Sequence, residues 1–126
     1  AASLTERRRA AGEELVEIQV EGRPLSEFLQ EPVHFLKLDI EGSEDVVLKE
    51  AQDLLGGVQH IFCEYHHGSG LEGDRLAKIL LLLERSGFDV QIDKSYSYGA
   101  ATRMRPMISV RRPYSAVIWA ENRNWG

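Results

Sequence analysis

Two short apolar runs in this chain end in side chains that can move protons or hold cations. The first, residues 33–40, closes as Leu38-Asp39-Ile40-Glu41-Gly42, and the second, residues 58–65, closes as Glu64-Tyr65-His66-His67. Carboxylates and imidazoles act as general bases near neutral pH, and carboxylates ligate divalent ions. In an open α/β sheet, ligands bind beyond the carboxyl ends of the strands. If these two runs are parallel neighbours, their carboxylates and a histidine meet at one such rim. Asp39, Glu41, Glu64 and His66 are therefore the candidate catalytic residues.

Each has a plainer role open to it. Asp39 can accept hydrogen bonds from the amides of the helix that follows, and Glu41 can shape the turn or pair with a basic side chain. Glu64 lies inside a strand that reads as buried, where a carboxylate needs a partner. His66 is the stronger histidine because it comes first after the strand, ahead of His67. His34 and His60 lie within or beside strands and read as structural. Cys63 sits among apolar neighbours, where a small thiol is inert.

The elements that must position these residues follow from apolar spacing. Residues 15–20, Leu-Val-Glu-Ile-Gln-Val, alternate enough for a strand with one wetter face. Residues 23–29 read as one or two helical turns, with Pro24 near the start. After the run at 33–40, Glu41-Gly42 turns the chain and Ser43 caps a helix through Leu55. Glu44 and Asp45 in its first turn suit the helix dipole. Val47, Ala51, Leu54 and Leu55 share one face of that helix, and Gly56-Gly57 stops it.

The run at 58–65 follows, then a longer helix over residues 72–86 ended by Gly87. Leu76, Ile79, Leu80 and Leu83 form its stripe, and Ala77, Leu81 and Leu82 widen it, so the helix should be mostly covered. Residues 88–92 and 114–120 complete the strands. Strands and helices that alternate at this length imply crossover connections, a largely parallel sheet and helices packed on it: an α/β fold. The connection over residues 94–113 is much longer than ordinary loops, which marks it as functional or disordered, and it permits the last strand to run antiparallel.

Composition bounds the rest. The chain has 126 residues, 43% hydrophobic and 28% charged, an ordinary folding composition for one domain or part of one. No apolar run approaches the roughly 18 residues needed to cross a bilayer, so no membrane partner is expected. The polar lead-in over residues 1–14, a loop or frayed helix, carries no signal-peptide pattern. A single cysteine excludes an internal disulfide framework and agrees with a reducing, cytoplasmic setting. The net charge of −5 argues against a nucleic-acid partner. That average hides an asymmetry: residues 1–93 hold nine Lys/Arg against nineteen Asp/Glu, whereas Lys94, Arg103, Arg105, Arg111 and Arg112 stand without an acid over residues 94–120. The chain shows no Walker sequence, no Gly-x-Ser-x-Gly elbow, no cysteine pairs for zinc and no Gly-x-Gly dinucleotide fingerprint.

Residues 35–44, Phe-Leu-Lys-Leu-Asp-Ile-Glu-Gly-Ser-Glu, resemble the FkbM family of methyltransferases. The C-terminal half of that family carries Leu-Lys-Leu/Ile-Asp-Ile/Val-Glu-Gly-Ala/Ser-Glu followed by an amphipathic helix. The likeness extends through the Leu-Ser-Glu-Phe-Leu turn at 25–29, the Ile-Phe-Cys-Glu-Tyr-His strand at 61–66 and the Leu-Glu-Arg-Ser-Gly-Phe joint at 83–88, so it covers about residues 15–93. The resemblance implies a Rossmann-like class I methyltransferase sheet, mostly parallel with an antiparallel last strand. Residues 35–39 would be its fourth strand, 61–65 its fifth, 88–92 its sixth and 117–120 its seventh, with 15–20 an extra strand before the fourth. The implied cofactor is S-adenosylmethionine. The family's Asp-x-Gly-x-x-x-Gly cofactor loop has no counterpart in this sequence, so the chain reads as the C-terminal portion of a single methyltransferase domain, inactive alone.

The resemblance also implies roles. Asp39 would contact the methionine end of the cofactor or orient the acceptor, and His66 or Asp39 would remove the acceptor proton. Glu41 and Glu64 would hold acceptor hydroxyls or a divalent ion, although no resident metal is assigned. The expected reaction is O-methylation of a small-molecule or sugar hydroxyl, with the long loop, Tyr96, Tyr98 and the arginines covering the acceptor. Two other readings stand beside it. One is a non-catalytic module, a homo-oligomer that covers a bare sheet edge. The other is a divalent-metal-dependent hydrolase built on Asp39, Glu41, Glu64 and His66.

Overall fold

A computed structural model describes residues 14–68, 71–97 (backbone alone for 94–97) and 113–126. Strand β2 (Val58–His67) lies inside the sheet, with β1 (Val33–Leu38) parallel on one side and β4 (Tyr114–Asn122) antiparallel on the other. Strand β3 (Phe88–Ser97) pairs antiparallel with the far side of β4, giving the order β1-β2-β4-β3. The sheet is therefore mixed. One pairing is parallel and two are antiparallel, because β4 returns between β2 and β3 and opposes both.

Alternation along β2 decides which face becomes the core. Val58, Ile61, Cys63, Tyr65 and His67 are buried, while Phe62, Glu64 and His66 are half-buried. The register sets Leu36 beside Ile61, Leu38 beside Cys63, and the small Ala120 and Ala116 beside Ile61 and Tyr65. Two helices cover that face, α1 (Glu44–Glu50) and α2 (Arg75–Arg85). They contribute Leu48, Ile79 and Leu83, and a 3₁₀ turn at Gln52–Gly57 adds Leu55. The opposite face carries Phe35, Phe62 and Trp119, with Phe35 51% and Trp119 38% exposed. The Phe62 and Trp119 ring centroids lie 5.8 Å apart. Buried Asn122 ties the end of β4 to the start of β2, its Nδ2 donating to the Gly56 and Val58 carbonyls at 3.0 and 2.9 Å.

Several expectations are corrected. Residues 15–20 form no strand; they are exposed, and no described strand pairs with them. Alternation makes a segment suitable for a sheet, but a ladder needs a neighbour. Ser43 stands before α1 without a side-chain capping bond, and the α-helix ends at Glu50 before the 3₁₀ turn, so it does not run unbroken to Leu55. Helix α2 starts at Arg75, three residues late, and its widened apolar surface is covered only in part: Leu82 packs against the core, but Leu81 is 48% exposed and Ala77 is exposed. Gly87 ends it at φ 96°, a left-handed conformation that favours glycine. Strand β3 runs on to Ser97 past a bulge between Ile92 and Lys94, taking Tyr96 and the first residues of the expected loop into the sheet. Tyr98 and the arginines at 103, 105, 111 and 112 lie outside the described residues.

The contrast within α2 is measurable. Leu83→Ala should lower unfolding free energy by about 2–5 kcal/mol, whereas Leu81→Ala should stay within roughly 0.5 kcal/mol of the parent, as read by urea denaturation.

Candidate functional site

The carboxyl ends of the parallel pair β1 and β2 come together at one rim. Strand β1 ends at buried Leu38, and Asp39 leaves it toward a sharp turn through Glu41 at φ 55° and Gly42 at φ 113°. A positive φ is easy for glycine but uncommon for glutamate. The turn delivers the chain directly into α1. Strand β2 brings Glu64 and His66 to the same rim.

His66 is the centre of the arrangement. Its Nε2 lies 3.8 Å from Asp39 Oδ1, 3.7 Å from Glu41 Oε1 and 3.8 Å from Glu64 Oε1. All four residues singled out from sequence therefore meet. The spacings exceed ordinary hydrogen-bond lengths, so these carboxylates act on the ring as charges. Asp39, Glu41 and His66 offer ligand atoms within 4.8 Å of one another, a spacing that a single divalent ion can bridge.

Three further residues complete the site. Glu44, fully buried at the start of α1, places Oε1 2.8 Å from His66 Nδ1 and accepts the Gly42 amide at 3.2 Å. Arg75, buried at the start of α2, donates to Asp45 Oδ1 at 2.7 Å, to the His66 carbonyl at 3.0 Å and to the Gly42 carbonyl. Its guanidinium carbon stands 5.2 Å from the Tyr65 ring centroid. Sequence reasoning assigned Glu44 and Asp45 to the helix dipole and gave Arg75 no role. The only signal was Arg75's place at the head of an apolar stripe, a position that a solvated arginine also takes.

The charges shift one another. Burial alone would lower the His66 pKa, but the Glu44 hydrogen bond and the charges of Glu44, Glu41 and Glu64 raise it above its ordinary value. Burial opposes ionisation of Asp45, yet the Arg75 hydrogen bond and charge prevail and lower its pKa. The Cys63 thiol is pushed up to about 12 by burial and by the Glu44, Asp39 and Glu64 carboxylates, which agrees with its reading as inert. His67 is buried: its Nδ1 lies 3.2 Å from the Tyr65 hydroxyl, and its ring stacks on Tyr114 at 5.0 Å.

The family model of the methyltransferase FkbM domain matches residues 1–90 of the 126. No curated protein and no solved structure matches the chain. Among the described residues, no helix is long and apolar enough to cross a membrane.

The Arg75–Asp45 pair predicts an acid-side dependence. The folded Asp45 pKa is depressed, so its contribution is complete above the ordinary value of 3.8 and is lost as pH falls through the folded value. Asp45→Asn should destabilise the protein by roughly 1–3 kcal/mol at neutral pH, and the difference should shrink progressively in melts taken at pH values falling below the ordinary 3.8.

Proposed function

The chain belongs to the FkbM methyltransferase family, and from that premise we propose that its rim serves S-adenosylmethionine-dependent methylation of a hydroxyl on a small molecule or sugar. The single observation that carries this reading is the His66 ring, held at the ends of two parallel strands with Nε2 among Asp39, Glu41 and Glu64. A hydroxyl becomes a competent nucleophile as its proton leaves. The His66 imidazole, its pKa raised despite burial by the Glu44 hydrogen bond and the carboxylates around it, holds a proton once taken more firmly than an ordinary histidine does.

S-adenosylmethionine supplies a methyl group on a positively charged sulfur, and a rim lined by carboxylates suits a cationic group electrostatically. Asp39, just past the end of β1, is the residue we assign to the cofactor's methionine end. Glu41 and Glu64 are assigned to acceptor hydroxyls, whose protons their oxygens can accept in hydrogen bonds. His66 receives the proton of the attacking hydroxyl on Nε2. Methyl transfer then depends chiefly on alignment, which the short turn between β1 and α1 favours by keeping Asp39 and Glu41 close to the sheet.

Transfer of a labelled methyl group from S-adenosylmethionine to hydroxylated acceptors, by the protein that carries these residues, tests the proposal. His66→Ala should lower kcat about 10²-fold or more, the contribution typical of a positioned base. Asp39→Ala should weaken S-adenosylhomocysteine binding in titration calorimetry. Methylation confined to amines, or turnover unchanged in both variants, would refute the assignment.

A further inference from the structure

We infer that Glu44 is a positioning residue for His66: by accepting a hydrogen bond from Nδ1–H it fixes the imidazole in the tautomer whose bare Nε2 faces the rim. The inference rests on the proposed role of His66 as proton acceptor and states what makes that role possible.

The chemistry of the contact sets the direction of the bond. An ionised carboxylate accepts hydrogen bonds and cannot donate them, so at 2.8 Å the His66 Nδ1 must carry the proton. In the neutral ring the remaining nitrogen is then the one with a free lone pair. Among the described residues, Nε2 has no partner at hydrogen-bond distance; its carboxylate neighbours stand at 3.7–3.8 Å. The lone pair is thus open toward the rim. A ring protonated on Nε2 instead would turn an N–H toward those carboxylates and could not take a proton from an acceptor there.

Burial supplies the rigidity. Glu44 is fully buried, so its carboxylate cannot turn out to water. Oε1 is shared between His66 and the Gly42 amide, while Oε2 lies 3.7 Å from the Arg75 guanidinium. Arg75 also holds the carbonyls of Gly42 and His66, which fixes the donor backbone on both sides of the carboxylate.

A helix-start role alone does not explain the placement. Carboxylates help a helix N-terminus from an exposed position, and Asp45 is already present in the first turn. Burying Glu44 leaves Oε2 without a hydrogen bond among the described residues, a cost that helix formation does not require. Among the described residues, Glu44 is the side chain within hydrogen-bond distance of the His66 ring, so orientation of His66 is what its placement supplies.

The test reads the tautomer directly and needs no methyl donor. The chain is labelled with ¹⁵N-histidine, and long-range ¹H–¹⁵N correlations of His66 are recorded at alkaline pH, where the ring is neutral. In the parent, roughly nine in ten rings should carry the proton on Nδ1, because that tautomer is set by the partner of the nitrogen. In Glu44→Gln the Nδ1-protonated share should fall at least about twofold, since a side-chain amide can donate to Nδ1 as well as accept from it. A parent His66 protonated on Nε2 would overturn the inference even if the variant did not fold, and so would a population left unmoved by Glu44→Gln. An Nδ1-protonated His66 in a protein that transfers no methyl group would count against the proposed function alone.

Discussion

A carboxylate fully out of water at the head of a helix is the constraint around which this molecule is arranged. Ionised Glu44 cannot be buried without partners, because the desolvation penalty amounts to several kcal/mol per charge. It has His66 from the end of β2, the amide of Gly42 from the turn after β1, and the Arg75 guanidinium from the head of α2. Arg75 extends the set to Asp45 and to the face of the Tyr65 ring. Two strand ends and two helix starts are thereby joined by charge, so the rim is assembled together with the fold.

The sheet supplies the other half of the arrangement. Small side chains on β4, Ala116 and Ala120, lie beside Tyr65 and Ile61 on the helix-covered face, which leaves room for Ile79 and Leu83 of α2 and Leu48 of α1. Strict alternation then sends Glu64 and His66 to the other side of β2 from the core residues. Both side chains are half-buried near the end of β2, still paired there with β4 but past the last residue paired with β1. The Phe35, Phe62 and Trp119 surface lies on that second face, and within the described residues no helix covers it.

Acid density at the rim has a chemical consequence. Three carboxylates lie within 4 Å of one imidazole nitrogen and a fourth holds the other. Such a field favours cations and raises the basicity of the ring. Both effects agree with the proposed methyl transfer from a sulfonium donor to a hydroxyl, in which a positive group must be accommodated and a proton removed. Burial first, and the same carboxylates second, suppress the thiolate of Cys63.

Much of this was legible from residues alone. The two apolar runs, the residues that close them and the Lys-x-Asp-x-Glu-Gly-x-Glu sequence indicated an α/β chain in which Asp39, Glu41, Glu64 and His66 would meet at one rim, as they do. They also marked the family to which it belongs. These signals are local: periodicity of two or 3.6 residues, and turns that follow directly on a strand. What tertiary structure decided was non-local. Residues 15–20 have the pattern of a strand but, among the described residues, no neighbour to pair with, and the breadth of the α2 stripe overstated how much of it a single sheet face can cover. A glutamate and an arginine at helix starts look the same in sequence whether solvated or buried. Glu44 and Arg75 became a single buried network only because β1, β2, α1 and α2 converge there, and the energy of a charge depends on what surrounds it in space.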